Sequence, residues 1–287
     1  MMVGDVVGEN GVAAVRELLP SLIADNEVDF CVVNGENAHE GRGINEFIAK
    51  KLYKAGADVI TGGDHSFDKH LVFPYMAKDR RLLRPLNYPK GAPGSGYCVV
   101  EKKEVQVGVM NLRGQAYFNN PIHCPFQTAD RFLPDLAAKS TIIFVDFHAE
   151  ATAEKATLGW YLDGRVSAVC GTHTHVQTAD ERVLPKGTGF LTDVGFTGPA
   201  KSVIGMDVET ATQRALLQIP QKYKLAEGDV FLSAAIFSID VRTGTTKSVK
   251  RLYVHAPEAS KMKIGAPPPS EESSETPAEP ARQPTAQ

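Results

Sequence analysis
The sequence predicts an α/β fold in which two β-sheets pack face to face and helices cover their outer faces, an αββα arrangement. Three observations lead there. Short apolar runs rich in β-branched residues alternate with amphipathic segments, as the strands and helices of successive βα units do. Hairpin signatures then appear, one turning near Lys102–Glu104 and one at Thr243-Gly244, so a second, partly antiparallel set of strands is needed. Finally, the early apolar runs each end on residues that carry chemistry, and strand ends are where open α/β sheets bind ligands.

The elements follow in chain order. Met1–Val3 is the end of a first strand, broken by Gly4, with Asp5 at its edge; a strand this short predicts a natural start a few residues upstream. Val12–Asp25 has helical apolar spacing, with Pro20 marking a kink or a second start. VDFCVV is a buried strand ending in Asn34-Gly35-Glu36-Asn37, followed by the glycine loop AHEGRG and an amphipathic helix over 44–55. Val59–Thr61 is the next strand, closed by two glycines, Asp64 and His65. A Pro/Gly-rich loop and the hairpin YCVVEKKEVQVGVMNL come next, then a helix over 127–139. IIFV and VSAVC are buried strands ending at His148 and at the His173/His175 pair. GTGFLTDV gives a further short strand, and the C-terminal segment a β-hairpin.

Composition bounds the function. The chain has 287 residues, 43% of them hydrophobic, enough for one large core over 1–258. No basic leader with an apolar core and no 18-residue apolar run is present, which predicts a cytoplasmic protein without a membrane span. The tail 266–287 is rich in Pro, Ser and Glu, carries four glutamates against Arg282, and is expected to be disordered. It accounts for the whole formal charge of −3, so the globular part is neutral and no general nucleic-acid surface is advertised. Cys31, Cys98, Cys124 and Cys170 lack CxxC spacing and read as buried free thiols. A homo-oligomer is compatible with the sequence but not selected by it.

The strand-end residues carry the functional reading. Taken alone, Asp5 reads as a helix cap and His148 as a core histidine. Glu36 at the end of a buried strand is costly unless paired with a cation. The His173/His175 pair has the spacing of metallohydrolase sites. Together Asp5, Glu36, Asn37, Asp64, His148, His173 and His175 are too many ligands for one tetrahedral zinc. Two metals bridged by a carboxylate and a hydroxide account for all seven. Fe, Mn and Zn all accept this mixed set, with iron or manganese expected. Arg42 in the glycine loop is the substrate-binding candidate, although a solvated loop cation is the plainer reading. Tyr117 and Phe118 read as packing residues, with base stacking as the alternative. Thr172, Thr174 and Asp193 are polar candidates without a role.

GDVVG at 4–8, NGENA at 34–38, GDHSFDK at 63–69, VDFHAEATAEK at 145–155, GTHTHVQTADERVLP at 171–185 and TDVGFTGP at 192–199 resemble the YmdB-like family of binuclear, calcineurin-like metallophosphoesterases, in the family's order. The resemblance implies a metallophosphoesterase fold and hydrolysis of cyclic nucleotides of the 2′,3′-cyclic AMP type by a hydroxide activated between two metals. It implies Asp5, Asn37 and His175 on one metal, Asp64, His148 and His173 on the other, Glu36 bridging, and His65 as general acid. This chain departs from the pattern at Asp64, where the family has Asn, at Arg42 and Asn45, and in HCPF at 123–126. Two other readings compete. An amidohydrolase-type barrel also uses a His-x-His pair, but on its first strand. A regulatory or scaffold protein would keep the metal site and act through RNA or protein partners, with the tail as its arm.

Overall fold
A computed structural model describes residues 1–222 and 224–256. The acidic tail and the end of the expected globular span lie outside the described residues. In chain order the elements are β1 (Met2–Val3), β2 (Asp5–Val6), α1 (Gly8–Asp25), β3 (Val32–Asn34), α2 (Glu46–Ala55), β4 (Val59–Thr61) and α3 (Phe73–Lys78). There follow β5 (Tyr97–Lys102), β6 (Val105–Arg113), α4 (Pro125–Ala137), β7 (Ile142–His148), α5 (Thr152–Tyr161) and β8 (Ala168–Thr172). The chain closes with β9 (Arg182–Val183), β10 (Gly189–Leu191), β11 (Phe196–Pro199), α6 (Val208–Leu217), β12 (Val230–Ile239) and β13 (Thr246–Ala256).

Two sheets form, as expected. The first has the order β2-β11-β12-β1-β3-β4, with β13 also paired to β12; the second runs β5-β6-β7-β8-β10-β9. β1, β3 and β4 are parallel, as are β6, β7, β8 and β10, and the hairpins β5/β6 and β12/β13 are antiparallel. Met2, Val32 and Val59 of the first sheet meet Val109, Phe144, Cys170 and Leu191 of the second in a shared apolar layer. On the outer face of the first sheet lie α1 and α2, through Val15, Leu19, Ile48 and Leu52. On the outer face of the second lie α4 and α5, through Leu133, Leu136 and Leu158. This is the four-layer αββα order, since each sheet buries one face on its partner and one on helices.

Several boundaries differ from expectation for physical reasons. The chain does break at Gly4, because a Cβ there would collide with the Gly195 carbonyl. Asp5 therefore opens a separate strand, β2, paired with Phe196 of β11. It does not cap α1, whose N-cap is Val7. Pro20 does not restart α1, which runs as one helix from Gly8 to Asp25; Pro20 and Arg16, whose carbonyl it frees, both face solvent. The expected strand over 28–33 narrows to Val32–Asn34, because the Cys31 amide turns to the Asp58 carboxylate. α2 starts at Glu46, where the Asn45 side chain accepts the Ile48 amide. All four cysteines are free; Cys124 is half-buried and the other three buried. Among the described residues no helix is long and apolar enough to cross a membrane.

Candidate metal centre
The expected ligands come together where the two sheets' edges meet. Glu36 and Asn37 follow β3, Asp64 follows β4, His148 ends β7, and His173 and His175 follow β8. Ligand atoms of Glu36, Asp64, His148 and His173 all lie within 4.8 Å of one another, a group able to hold a metal ion. His148 Nε2 is the hub: Glu36 Oε1 lies at 3.1 Å, Asp64 Oδ1 at 3.0 Å and His173 Nδ1 at 3.0 Å. Asn37 Nδ2 donates to Glu36 Oε1 and sits 3.2 Å from His175 Nε2. Asp5 closes the group from below, its Oδ2 accepting the His173 amide at 3.1 Å.

Local backbone makes this convergence possible. Gly63 carries no Cβ because one would run into the Glu36 carboxylate and the His148 ring. His173 and His175 sit at φ of 99° and 64°, a left-handed conformation that bulky residues adopt only when the surroundings impose it. The imposing contacts are the amide bond to Asp5 and, next door, Asp193, which accepts both the amide and the hydroxyl of Thr174. Asp193 is in turn paired with the buried Lys155 Nζ at 2.6 Å.

The outer nitrogen of each histidine has an oxygen beside it, which favours the tautomer that carries its proton outward. His148 Nδ1 is 2.9 Å from Thr172 Oγ1, and that hydroxyl donates to Asp146 Oδ1, so Nδ1 carries the proton. His173 Nε2 faces Glu150 at 3.1 Å, and His175 Nδ1 donates to the Ile204 carbonyl at 2.8 Å. The inner nitrogens point into the same small volume as the carboxylates of Glu36 and Asp64, where a cation in place of a proton would take their lone pairs. Such an arrangement is satisfied by a cation, as metal-binding histidines with outer-sphere acceptors are. Asp5 Oδ1 adds to the case: it is fully buried with no hydrogen-bond partner among the described residues. Asn37 fits once its amide turns over, so that Oδ1 rather than Nδ2 faces the centre.

The electrostatics agree. Burial would lower the His148 pKa, but the Glu36 charge, with Asp64 and Asp5, raises it well above the usual imidazole value. Burial would likewise raise Glu36 and Asp64, yet His148 holds both below the ordinary carboxylate range. Asp5 is raised, because burial outweighs the nearby histidines. Asp146, buried behind Thr172, is pushed up to about 7 by desolvation. A field that stabilises extra positive charge on His148 will stabilise a bound metal for the same reason.

His65 stands at the rim. Its amide donates to Glu36 Oε2, and its Nδ1 lies 3.1 Å from Asp68 Oδ2. Arg42 Nε donates to the same Asp68 oxygen at 3.0 Å, so Arg42 is a solvent-exposed loop cation held at the mouth by that bond. Two cavities of about 880 and 750 Å³ flank the centre and share Arg42, His65, Glu150 and His173. One is walled by Val203, Ile204 and Ile219, the other by Tyr117, Phe118 and Asn120. Phe118 packs as expected, 4.9 Å from the His173 ring and 4.5 Å from the Arg113 guanidinium. Tyr117 does not: its φ of 67° turns the ring outward and leaves it 85% exposed.

Asp68, Glu150 and Asp146 were missed in sequence. Asp68 was findable three residues after His65, the reach of one turn. Glu150 and Asp146, each two residues from His148, had no signal, because acidic residues beside a strand end are commonplace.

A family model described as YmdB-like protein matches residues 1–252. A Bacillus subtilis 2′,3′-cyclic-nucleotide 2′-phosphodiesterase is 44% identical over 255 residues, covering 89% of this chain and 96% of that protein. The crystal structure of a hypothetical protein from Thermus thermophilus superposes with a TM-score of 0.83 at 38% identity, covering 89% and 98% of the two chains. A Mycoplasma pneumoniae phosphatase structure gives 0.84 at 29%, covering 91% and 95%. On that span and identity, the chain belongs to the YmdB-like family.

Proposed function
We propose that this protein is a phosphodiesterase that hydrolyses cyclic nucleotides of the 2′,3′-cyclic type with two divalent cations. The observation that carries the reading is the convergence of Glu36, Asp64, His148 and His173 within 4.8 Å. Asp5, Asn37 and His175 would hold one ion, Asp64, His148 and His173 the other, and Glu36 both. Iron or manganese suits the mixed set, and zinc is compatible. The activity named for the Bacillus subtilis relative supports the substrate class. When bound, the ions supply Lewis acidity to the phosphoryl oxygens and lower the pKa of water between them.

The chain's own residues do the rest. Thr172, Glu150 and the Ile204 carbonyl keep the three imidazoles in the metal-binding tautomer. Asp68 Oδ2 at 3.1 Å and Arg42 Nη2 at 3.3 Å both lie against His65 Nδ1, which leaves Nε2 as the nitrogen that can donate a proton to the departing ribose oxygen. Imidazole is the side chain suited to giving and retaking a proton near neutral pH. Arg42, anchored beside it, places positive charge at the mouth through which a phosphodiester enters.

Leaving-group chemistry provides the test. A ribose alkoxide needs protonation, whereas p-nitrophenolate leaves without much help. With manganese-reconstituted protein, His65→Ala is expected to lower kcat on 2′,3′-cyclic AMP by about 10²–10⁴ and to affect bis-p-nitrophenyl phosphate far less. Equal losses on both substrates would reject the acid role. No hydrolysis of either by metal-loaded wild type would reject the phosphodiesterase.

A further inference from the structure
A third cavity, of about 920 Å³, lies away from the candidate metal centre and shares no lining residue with the two cavities there. It is bounded by α3, the edge strand β5, the loop that precedes β5, and α4. Five cations line it, Arg80, Arg84, Lys90, Arg131 and Lys139, and no Asp or Glu does. In a globular part that is formally neutral, so one-sided a lining is a local concentration of charge. None of the five makes an ion pair among the described residues, although such pairs are common elsewhere on the molecule.

Arg84 is the sharpest feature. It is only 8% exposed, yet its guanidinium reaches no carboxylate. Nη1 donates to the carbonyls of Pro85 and Leu86, Nη2 to that of Ala92, and Nε has no partner among the described residues. The plain reading is a staple for the loop over 85–92, and the three carbonyl bonds fit it. That reading leaves the orphaned Nε and the buried charge unexplained, because carbonyl dipoles do not neutralise a cation and buried charges are ordinarily paired. Four more unpaired cations around the same space make an anion the natural counterpart.

The ligand's size and shape follow from the rest of the wall. A space of about 920 Å³ exceeds a bare phosphate and falls in the range of nucleotide-sized ligands. Tyr97 and Phe132, with ring centroids 5.6 Å apart, offer aromatic surface on the same lining. We propose that this cavity is a second ligand site, which binds a phosphorylated small molecule of nucleotide size, its phosphate compensating Arg84 and the rim cations and its planar part lying against Tyr97 and Phe132. Arginine-rich, carboxylate-free pockets recognise phosphate in this way. Tyr88 lines the cavity, and its hydroxyl accepts from Nη1 of Arg113, which lines the catalytic cleft, so the two sites are joined by one hydrogen bond.

Calorimetric titration of metal-loaded protein with ADP tests this. Because Arg84→Gln would also remove bonds that hold the loop, the informative variant is the exposed pair Arg131→Gln/Lys139→Gln. Wild type should bind ADP in an event whose affinity falls at least tenfold in the variant, with bis-p-nitrophenyl phosphate turnover unchanged. ADP heats that are absent, or identical in wild type and variant, would overturn the proposal. So would an RNA oligonucleotide that binds through the same two residues at least tenfold more tightly than ADP, since that would mean a polynucleotide surface. Turnover is read separately, so loss of the phosphodiesterase reading and loss of this one are distinguishable.

Discussion

Which nitrogen of each imidazole faces inward decides whether this cluster is a metal site or a tangle of buried charge. The outer acceptors, Thr172 with Asp146, Glu150 and the Ile204 carbonyl, answer that for His148, His173 and His175 in turn. The candidate ligands themselves were visible in sequence, because they follow the ends of apolar runs. Their acceptors were not: Thr172 lies 24 residues from His148, and a backbone carbonyl has no sequence signal at all. Asp64 carries the residue-scale prediction. It is held ionised by His148 and His173 against the cost of its burial, and so adds a negative charge that an Asn would not. On a bound metal that charge would favour retention but damp its acidity. Asp64→Asn is therefore expected to turn over bis-p-nitrophenyl phosphate faster with at least one divalent metal, and to bind that metal more weakly. A variant no faster with manganese, iron or zinc contradicts this account of Asp64.

Among the elements, those that bury a clean apolar face were readable and those that do not were missed. α2 and α4 have such faces, and the expectation placed both within two residues at each end. α5 hid because the positions it buries are Lys155, Leu158 and Gly159, so a charge and a glycine stand where an apolar stripe is sought. α6 buries nothing, and α3 has only six residues with a proline at its start. The buried Lys155 is what makes α5 matter. Its ammonium meets Asp193, which in turn holds the Thr174 amide and hydroxyl and so the strained turn carrying His173 and His175. Lys155→Met leaves Asp193 buried without its cation. Urea unfolding is expected to show a loss of about 3–5 kcal/mol, accompanied by weaker metal binding. A loss below about 1 kcal/mol would mean that the pair contributes no more than a surface contact.

At the scale of the molecule, the site belongs to neither sheet. Glu36 and Asp64 come from the edge of the first, His148 and His173 from the edge of the second, and the layer of Met2, Val32, Phe144 and Cys170 between the sheets sets the two edges against each other. The sequence showed which strands end in candidate ligands and that two sheets were needed. It did not show how those edges align, because alignment depends on packing between residues more than a hundred positions apart, as in the bond from Asn34 to Asp146. The alignment leads to one central claim, that the converged group holds two divalent ions. Metal content per chain, measured after reconstitution with manganese and removal of free ion, tests it most directly. The account predicts two ions in wild type and none tightly held in Glu36→Ala/His148→Ala. Wild type that retains no ion, or a double variant that keeps both, would contradict it.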